Sequence, residues 1–148
     1  MDLSQYAELF LAESREHLGV CNQLLLEWER APAAREPVQG IFRAVHTVKG
    51  MAATMGYARV AELAHRMENL LDTLRRGSKP VGAELLQLLF RARDGLEQAV
   101  ELSVGGREAE VAVADLGACN QLLLEGERAP SAREPVQGIF RAVHTVKG

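Results

Sequence analysis

The chain has 148 residues, 25% of them charged and 47% hydrophobic, with a formal net charge of −3. That balance excludes a wholly disordered chain, and with no basic stripe to neutralise a phosphate backbone, nucleic acid is excluded as a partner. No apolar run reaches the ~18–20 residues of a membrane span, no signal peptide precedes the first helix, and Cys21 and Cys119 make no disulfide framework, so a reducing cytoplasmic setting is expected.

Leu3, Tyr6, Phe10, Leu18, Cys21, Leu24, Leu25 and Trp28 recur at helical steps and predict a long helix over 3–29, with a polar gap at Ser14 and His17. Ala31-Pro32 ends it, and Glu36-Pro37 opens the next helix, because proline is tolerated in a first turn. That second helix carries Ile41, Val45, Val48, Ala52 and Met55 toward the core, and Gly56 breaks it. A third, over 58–76, carries Val60, Leu63, Met67, Leu70, Leu71 and Leu74. Gly77-Ser78-Lys79-Pro80 reads as a loop. A fourth, over 83–102, carries Leu85, Leu89, Ala92, Leu96 and Ala99. Short connections between long amphipathic helices imply antiparallel neighbours. The fold class expected is all-α, an up-down-up-down four-helix bundle with a C-terminal helical tail.

Residues 18–50 recur as 116–148, with three differences in 33 positions: Val20 to Ala118, Trp28 to Gly126 and Ala33 to Ser131. The chain therefore divides into a bundle over 1–104, a linker over 105–115, and an incomplete duplicate of 18–50 over 116–148. Helices over 108–126 and 134–147 are compatible with its apolar pattern, with partial disorder as the alternative. His144 copies His46, but no copy of Glu68 follows it. A monomer is expected, with a domain-swapped dimer as the alternative, because an identical element is available to exchange.

The informative segment is Ile41-Phe42-Arg43-Ala44-Val45-His46-Thr47-Val48-Lys49-Gly50-Met51. His46 lies at the edge of the apolar stripe, where its imidazole reaches water. Lys49 stands three residues on, on the same side. Gly50, at i+4, costs about 1 kcal/mol of helix stability relative to alanine. Clearance for a docking partner beside the imidazole is a reason to keep it, and Ala53 continues that row of small residues. On the third helix, His65 and Glu68 share a face, with Asp72 one turn further. If the two helices are antiparallel neighbours, Glu68 meets the ring of His46. A carboxylate on Nδ1–H would fix the tautomer and leave the Nε2 lone pair outward as a nucleophile. Lys49 would then screen an incoming phosphoryl group.

With Leu63-Ala64-His65-Arg66-Met67-Glu68-Asn69-Leu70-Leu71-Asp72 and the opening Phe10-Leu11-Ala12-Glu13-Ser14-Arg15-Glu16-His17-Leu18, this segment resembles the histidine phosphotransfer (HPt) domain of CheA-type chemotaxis histidine kinases. The resemblance covers about residues 1–104. It implies that His46 is the phospho-acceptor, Lys49 the lysine near the phosphoryl group, Glu68 the acid holding the Nδ1 proton and His65 the second active-site histidine. It also implies a kinase ATP-binding domain as donor and a CheY- or CheB-like response regulator as acceptor. The chain would be a carrier, part of a CheA-type kinase, with no cofactor of its own. ATP and Mg would serve the partner kinase domain.

Two rivals stand beside this reading. Glu62-x-x-His65 matches one half of a di-iron signature, but two such motifs and further inward glutamates are needed, so no metal ligand is assigned. A docking bundle without chemistry is the other rival, and it predicts that His46 is replaceable without consequence.

Overall fold

The structure, a computed structural model, describes residues 2–77 and 80–111. Four helices follow in chain order: α1 (Leu3–Arg30), α2 (Glu36–Met55), α3 (Ala58–Arg76) and α4 (Ala83–Val104). Helix α2 packs on α1 and α3, while α4 closes the bundle against α1 and α3. No described residue is in a strand. The all-α four-helix bundle is therefore the fold.

Local chemistry sets the ends. Asp2 starts α1 through a capping box: its carboxylate accepts from the Gln5 N–H at 3.0 Å, and the Gln5 side chain accepts from the Asp2 N–H at 2.9 Å. Pro37 stands in the first turn of α2. Gly56 ends that helix in the left-handed region, at φ 77°, where a side chain would be strained. The first turn of α3 has no cap of its own, and Glu108 supplies one from beyond α4, accepting from the Arg59 N–H at 2.9 Å.

The core is a single cluster in which Leu18, Leu25, Ile41, Val45, Val48, Met67, Leu71, Leu89 and Leu96 are fully enclosed. Each such side chain contributes roughly 1.5–3 kcal/mol by leaving water. Cys21 is a free thiol inside this core. Burial pushes it up to about 12, against the opposing charge of Arg93, so it behaves as a small apolar residue.

The apolar stripes need several corrections. Leu3 and Tyr6 were expected in the core but are exposed. At 1.5 Å per residue α1 is about 42 Å long and α2 about 30 Å. Phe10 of α1 meets Tyr57, just past the end of α2, so the first turns of α1 run on beyond their neighbour. The polar gap is only apparent, because Ser14 is buried and His17 half-buried. Leu24, Met55, Leu74 and Leu85 are half-buried at the rim, and Leu86 and Leu88 fill α4 positions beside Leu89.

After α4 the chain turns back onto the bundle. Residues Glu108–Glu110 form one 3-10 turn, not the start of an α-helix. Arg59 donates to the carbonyls of Ala109 at 3.2 Å and Val111 at 3.3 Å, and Val111 is buried. These long-range bonds compete with helical ones, and Val111 leaves the turn with extended backbone. The rest of the expected 108–126 helix, the 134–147 helix, the duplicate over 116–148 and His144 lie outside the described residues.

Candidate functional site

The site lies where α2 and α3 run side by side. Glu68 belongs to the buried face of α3, between Ala64 and Leu71. An acid in that stripe needs partners. It finds them on α2: the His46 Nδ1–H donates to Oε2, and the Lys49 ammonium donates to Oε1 at 2.7 Å. A carboxylate only accepts, so its bond assigns the proton to Nδ1 and leaves the Nε2 lone pair free.

Exposure separates the roles of these groups. The Glu68 side chain is 10% exposed, Lys49 26% and His46 62%, so a nearly enclosed anion supports an imidazole that stands in water. Burial works to raise the Glu68 carboxyl. The hydrogen bonds from Lys49 and His46, and then their charges, outweigh it and hold the group below the usual carboxylate range. Glu68 is therefore an anion at neutral pH.

The other expected residues, His65, Gly50 and Ala53, lie on the same two helices. His65 Nδ1 is 3.8 Å from Glu68 Oε1, in the ion-pair range but beyond a hydrogen bond. Gly50 and Ala53 are exposed on α2, and a Cβ added at Gly50 would meet nothing within 4 Å. Glu62 pairs with Arg66 at 3.1 Å. Among the described residues, no group of three or more His, Cys, Asp or Glu side chains is placed to hold a metal ion.

Sequence reading missed one neighbour of His46 and the cation that packs on it. The Phe42 ring stacks beside the imidazole, with centroids 6.2 Å apart and planes 9° apart. The Arg75 guanidinium lies 4.2 Å from the centroid of Phe42. Helical spacing carried a signal: Phe42 is four residues before His46, and Arg75 is seven after Glu68, so each shares a face with its active partner.

The bundle thus presents a hydrogen-bonded, solvent-facing imidazole above a buried carboxylate, an arrangement suited to a histidine nucleophile. Residues 5–102 match the family model described as "Hpt domain". The chain belongs to this family: it is a histidine phosphotransfer domain. It is 42% identical over 132 residues to the chemotaxis protein CheA of Bacillus subtilis, covering 89% of this chain and 19% of that protein. The chain thus spans about a fifth of the length of the curated relatives it matches. The CheA phosphotransferase domain from Thermotoga maritima superposes with a TM-score of 0.65 at 36% identity, over 70% of this chain and 99% of that domain. The phosphorylated P1 domain of CheA3 in complex with CheY6 from R. sphaeroides gives 0.74 at 25% identity, over 82% and 98%. No helix among the described residues is long and apolar enough to cross a membrane.

Proposed function

We propose that His46 carries the phosphoryl group, taking it from ATP held by a kinase ATP-binding domain and passing it to an aspartate of a CheY- or CheB-like response regulator in chemotaxis-type two-component signalling. The observation that carries this reading is the exposed imidazole whose Nδ1–H is held by the buried Glu68. In the first step the Nε2 lone pair attacks the γ-phosphorus. A nitrogen–phosphorus bond forms as the bond from phosphorus to the ADP oxygen breaks, and the electron pair leaves with ADP. The ring becomes cationic, and Glu68 stabilises that charge by keeping its bond to the Nδ1 proton. In the second step an aspartate oxygen attacks phosphorus, the nitrogen–phosphorus bond breaks, and the imidazole returns neutral with its proton still on Nδ1.

Lys49 has two roles in this reading. It partners Glu68, and its ammonium offsets the negative phosphoryl oxygens. His65 stands within ion-pair range of the same carboxylate. Gly50 and Ala53 leave room for the partners to approach the ring. ATP and Mg belong to the kinase domain, and no cofactor is assigned to this chain. The reaction belongs in the cytoplasm, where its nucleotide donor is found, and a monomer suffices because one bundle supplies the whole triad.

The test uses radiolabelled ATP and the ATP-binding domain of the B. subtilis relative. One phosphoryl group should appear on each bundle, acid-labile and base-resistant, and His46→Gln should abolish it. A label of the same kind on the Gln variant overturns the assignment.

A further inference from the structure

A single hydrogen bond at Nδ1 fixes one edge of the His46 ring. The ring, tethered also through its Cβ–Cγ bond, keeps some tilt in χ2, because that torsion is broad and a hydrogen bond tolerates bending. The Nε2 lone pair lies in the ring plane, so tipping swings it away from any line toward an incoming phosphorus atom. Something else must define that plane.

Phe42 stands one turn before His46 on the same side of α2. Its ring is nearly parallel to the imidazole, with 9° between the planes. Phe42 is half-buried, and Arg75 of α3 lays its guanidinium 4.2 Å from the ring centroid. Arg75 is itself held, donating to Asp72 Oδ1 at 2.5 Å while its backbone carbonyl accepts from Arg35. A chain of contacts therefore runs from Asp72 through Arg75 and Phe42 to the imidazole.

We propose that Phe42 and Arg75 are positioning residues for phosphoryl transfer: Phe42 sets the plane of the His46 ring, and Arg75 holds Phe42 against α3. The inference rests on His46 being the nucleophile. Glu68 fixes the tautomer and one edge, and Phe42 fixes the remaining tilt. Neither Phe42 nor Arg75 supplies a group that forms or breaks a bond in the transfer.

Phosphoramidate provides the test, because it is a small phosphoryl donor with no docking surface. Phosphorus bonds to Nε2 as its bond to the donor nitrogen breaks and ammonia leaves. Label on the His46 peptide is followed by mass spectrometry, and the imidazole tautomer by nitrogen NMR. Phe42→Leu keeps apolar bulk but removes the flat face, and it should slow labelling about 2- to 10-fold, the range expected for one aromatic pair. Its Nδ1–H tautomer, which Glu68 holds, and its circular dichroism should both stay unchanged. Phe42→Tyr restores the face and should label at the wild-type rate. Arg75→Met retains the Phe42 ring but removes the cation that holds it, and should slow labelling about 2-fold, the value of an exposed cation–π contact. A wild-type labelling rate in Phe42→Leu, or a shifted tautomer that accounts for its slowing, overturns the proposal. Lost helicity in that variant, together with an unaffected Arg75→Met, also overturns it by making Phe42 a packing residue. Absence of label on His46 in the wild-type chain would instead remove the nucleophile reading on which the proposal rests.

Discussion

Two helix pairs in this bundle are joined by charged side chains, and they do opposite things with them. Between α1 and α4 an enclosed charge is a cation. Arg93, 12% exposed, donates to the Leu18 carbonyl at 3.0 Å and pairs with Asp94 at 2.8 Å and Glu97 at 3.1 Å. Its donors end on a backbone oxygen and on two acids, so the arrangement works as a staple. Between α2 and α3 the enclosed charge is an anion, Glu68, and what it holds is an exposed imidazole with one nitrogen unused. The difference teaches that burial of the charge alone does not make a site. Reactivity follows from which partner is left facing water, and with what capacity unspent.

The largest effect that tests this contrast is on rate. Glu68→Gln keeps the shape but weakens the acceptor for Nδ1–H and removes the charge that balances the cationic ring. Phosphorylation by the kinase domain should fall by about 10²–10⁴-fold, the range of general acid–base contributions, while circular dichroism is retained. Arg93→Met should do the reverse, costing about 1.5–3 kcal/mol in urea unfolding, as for hydrogen bonds to charged groups, with phosphorylation at the wild-type rate. A slowed Arg93→Met, or a normal Glu68→Gln, breaks the contrast between the faces.

A second test uses pH. The folded-state pKa of Glu68 lies below its ordinary value of 4.5. Its ionised form is therefore favoured by folding. That stability is fully present above pH 4.5 and is lost as pH falls through the depressed folded value. Glu68→Gln carries no such proton. The difference in unfolding free energy between wild type and this variant should shrink in acid, read from urea titrations at neutral pH and at about pH 3. A constant difference across that range would mean that Lys49 and His46 do not stabilise the carboxylate.

Much of this was legible in the sequence, for reasons that can be named. Pro37 and Gly56 bracket α2 because each has a backbone constraint that acts locally. The His46–Glu68 pairing was legible because two antiparallel helices with short connections allow few registers, and His46 lies at the edge of its apolar stripe. What failed to show was tertiary. Leu3 and Tyr6 keep the helical period but lie beyond the end of α2, which no pattern on α1 reveals. The turn at Glu108–Glu110 follows from Arg59, some 50 residues away in sequence, capturing its carbonyls. Phe42 reads as one more apolar residue beside Ile41 until the structure lays its ring along the imidazole.

The smallest effect gives the sharpest comparison, because it uses one glycine from each face. Gly19 on α1 and Gly50 on α2 both sit within helices, both are exposed, and neither has positive φ. A Cβ added at either would meet nothing within 4 Å. Neither glycine is required by the fold, so Gly19→Ala and Gly50→Ala should each stabilise the bundle by about 0.5–1 kcal/mol in urea unfolding. The larger Gly19→Leu and Gly50→Leu should fold as well, since both side chains would point into solvent. They should differ only when a partner is present. Gly50 lies one turn from His46 on α2, whereas Gly19 adjoins the Leu18 carbonyl that Arg93 staples. Phosphoryl transfer from the kinase domain should therefore slow in Gly50→Leu and stay normal in Gly19→Leu, while both take label from phosphoramidate at the wild-type rate. Equal transfer in the two leucine variants would show that partners approach the imidazole from α3, and that the open space at Gly50 has no part in docking.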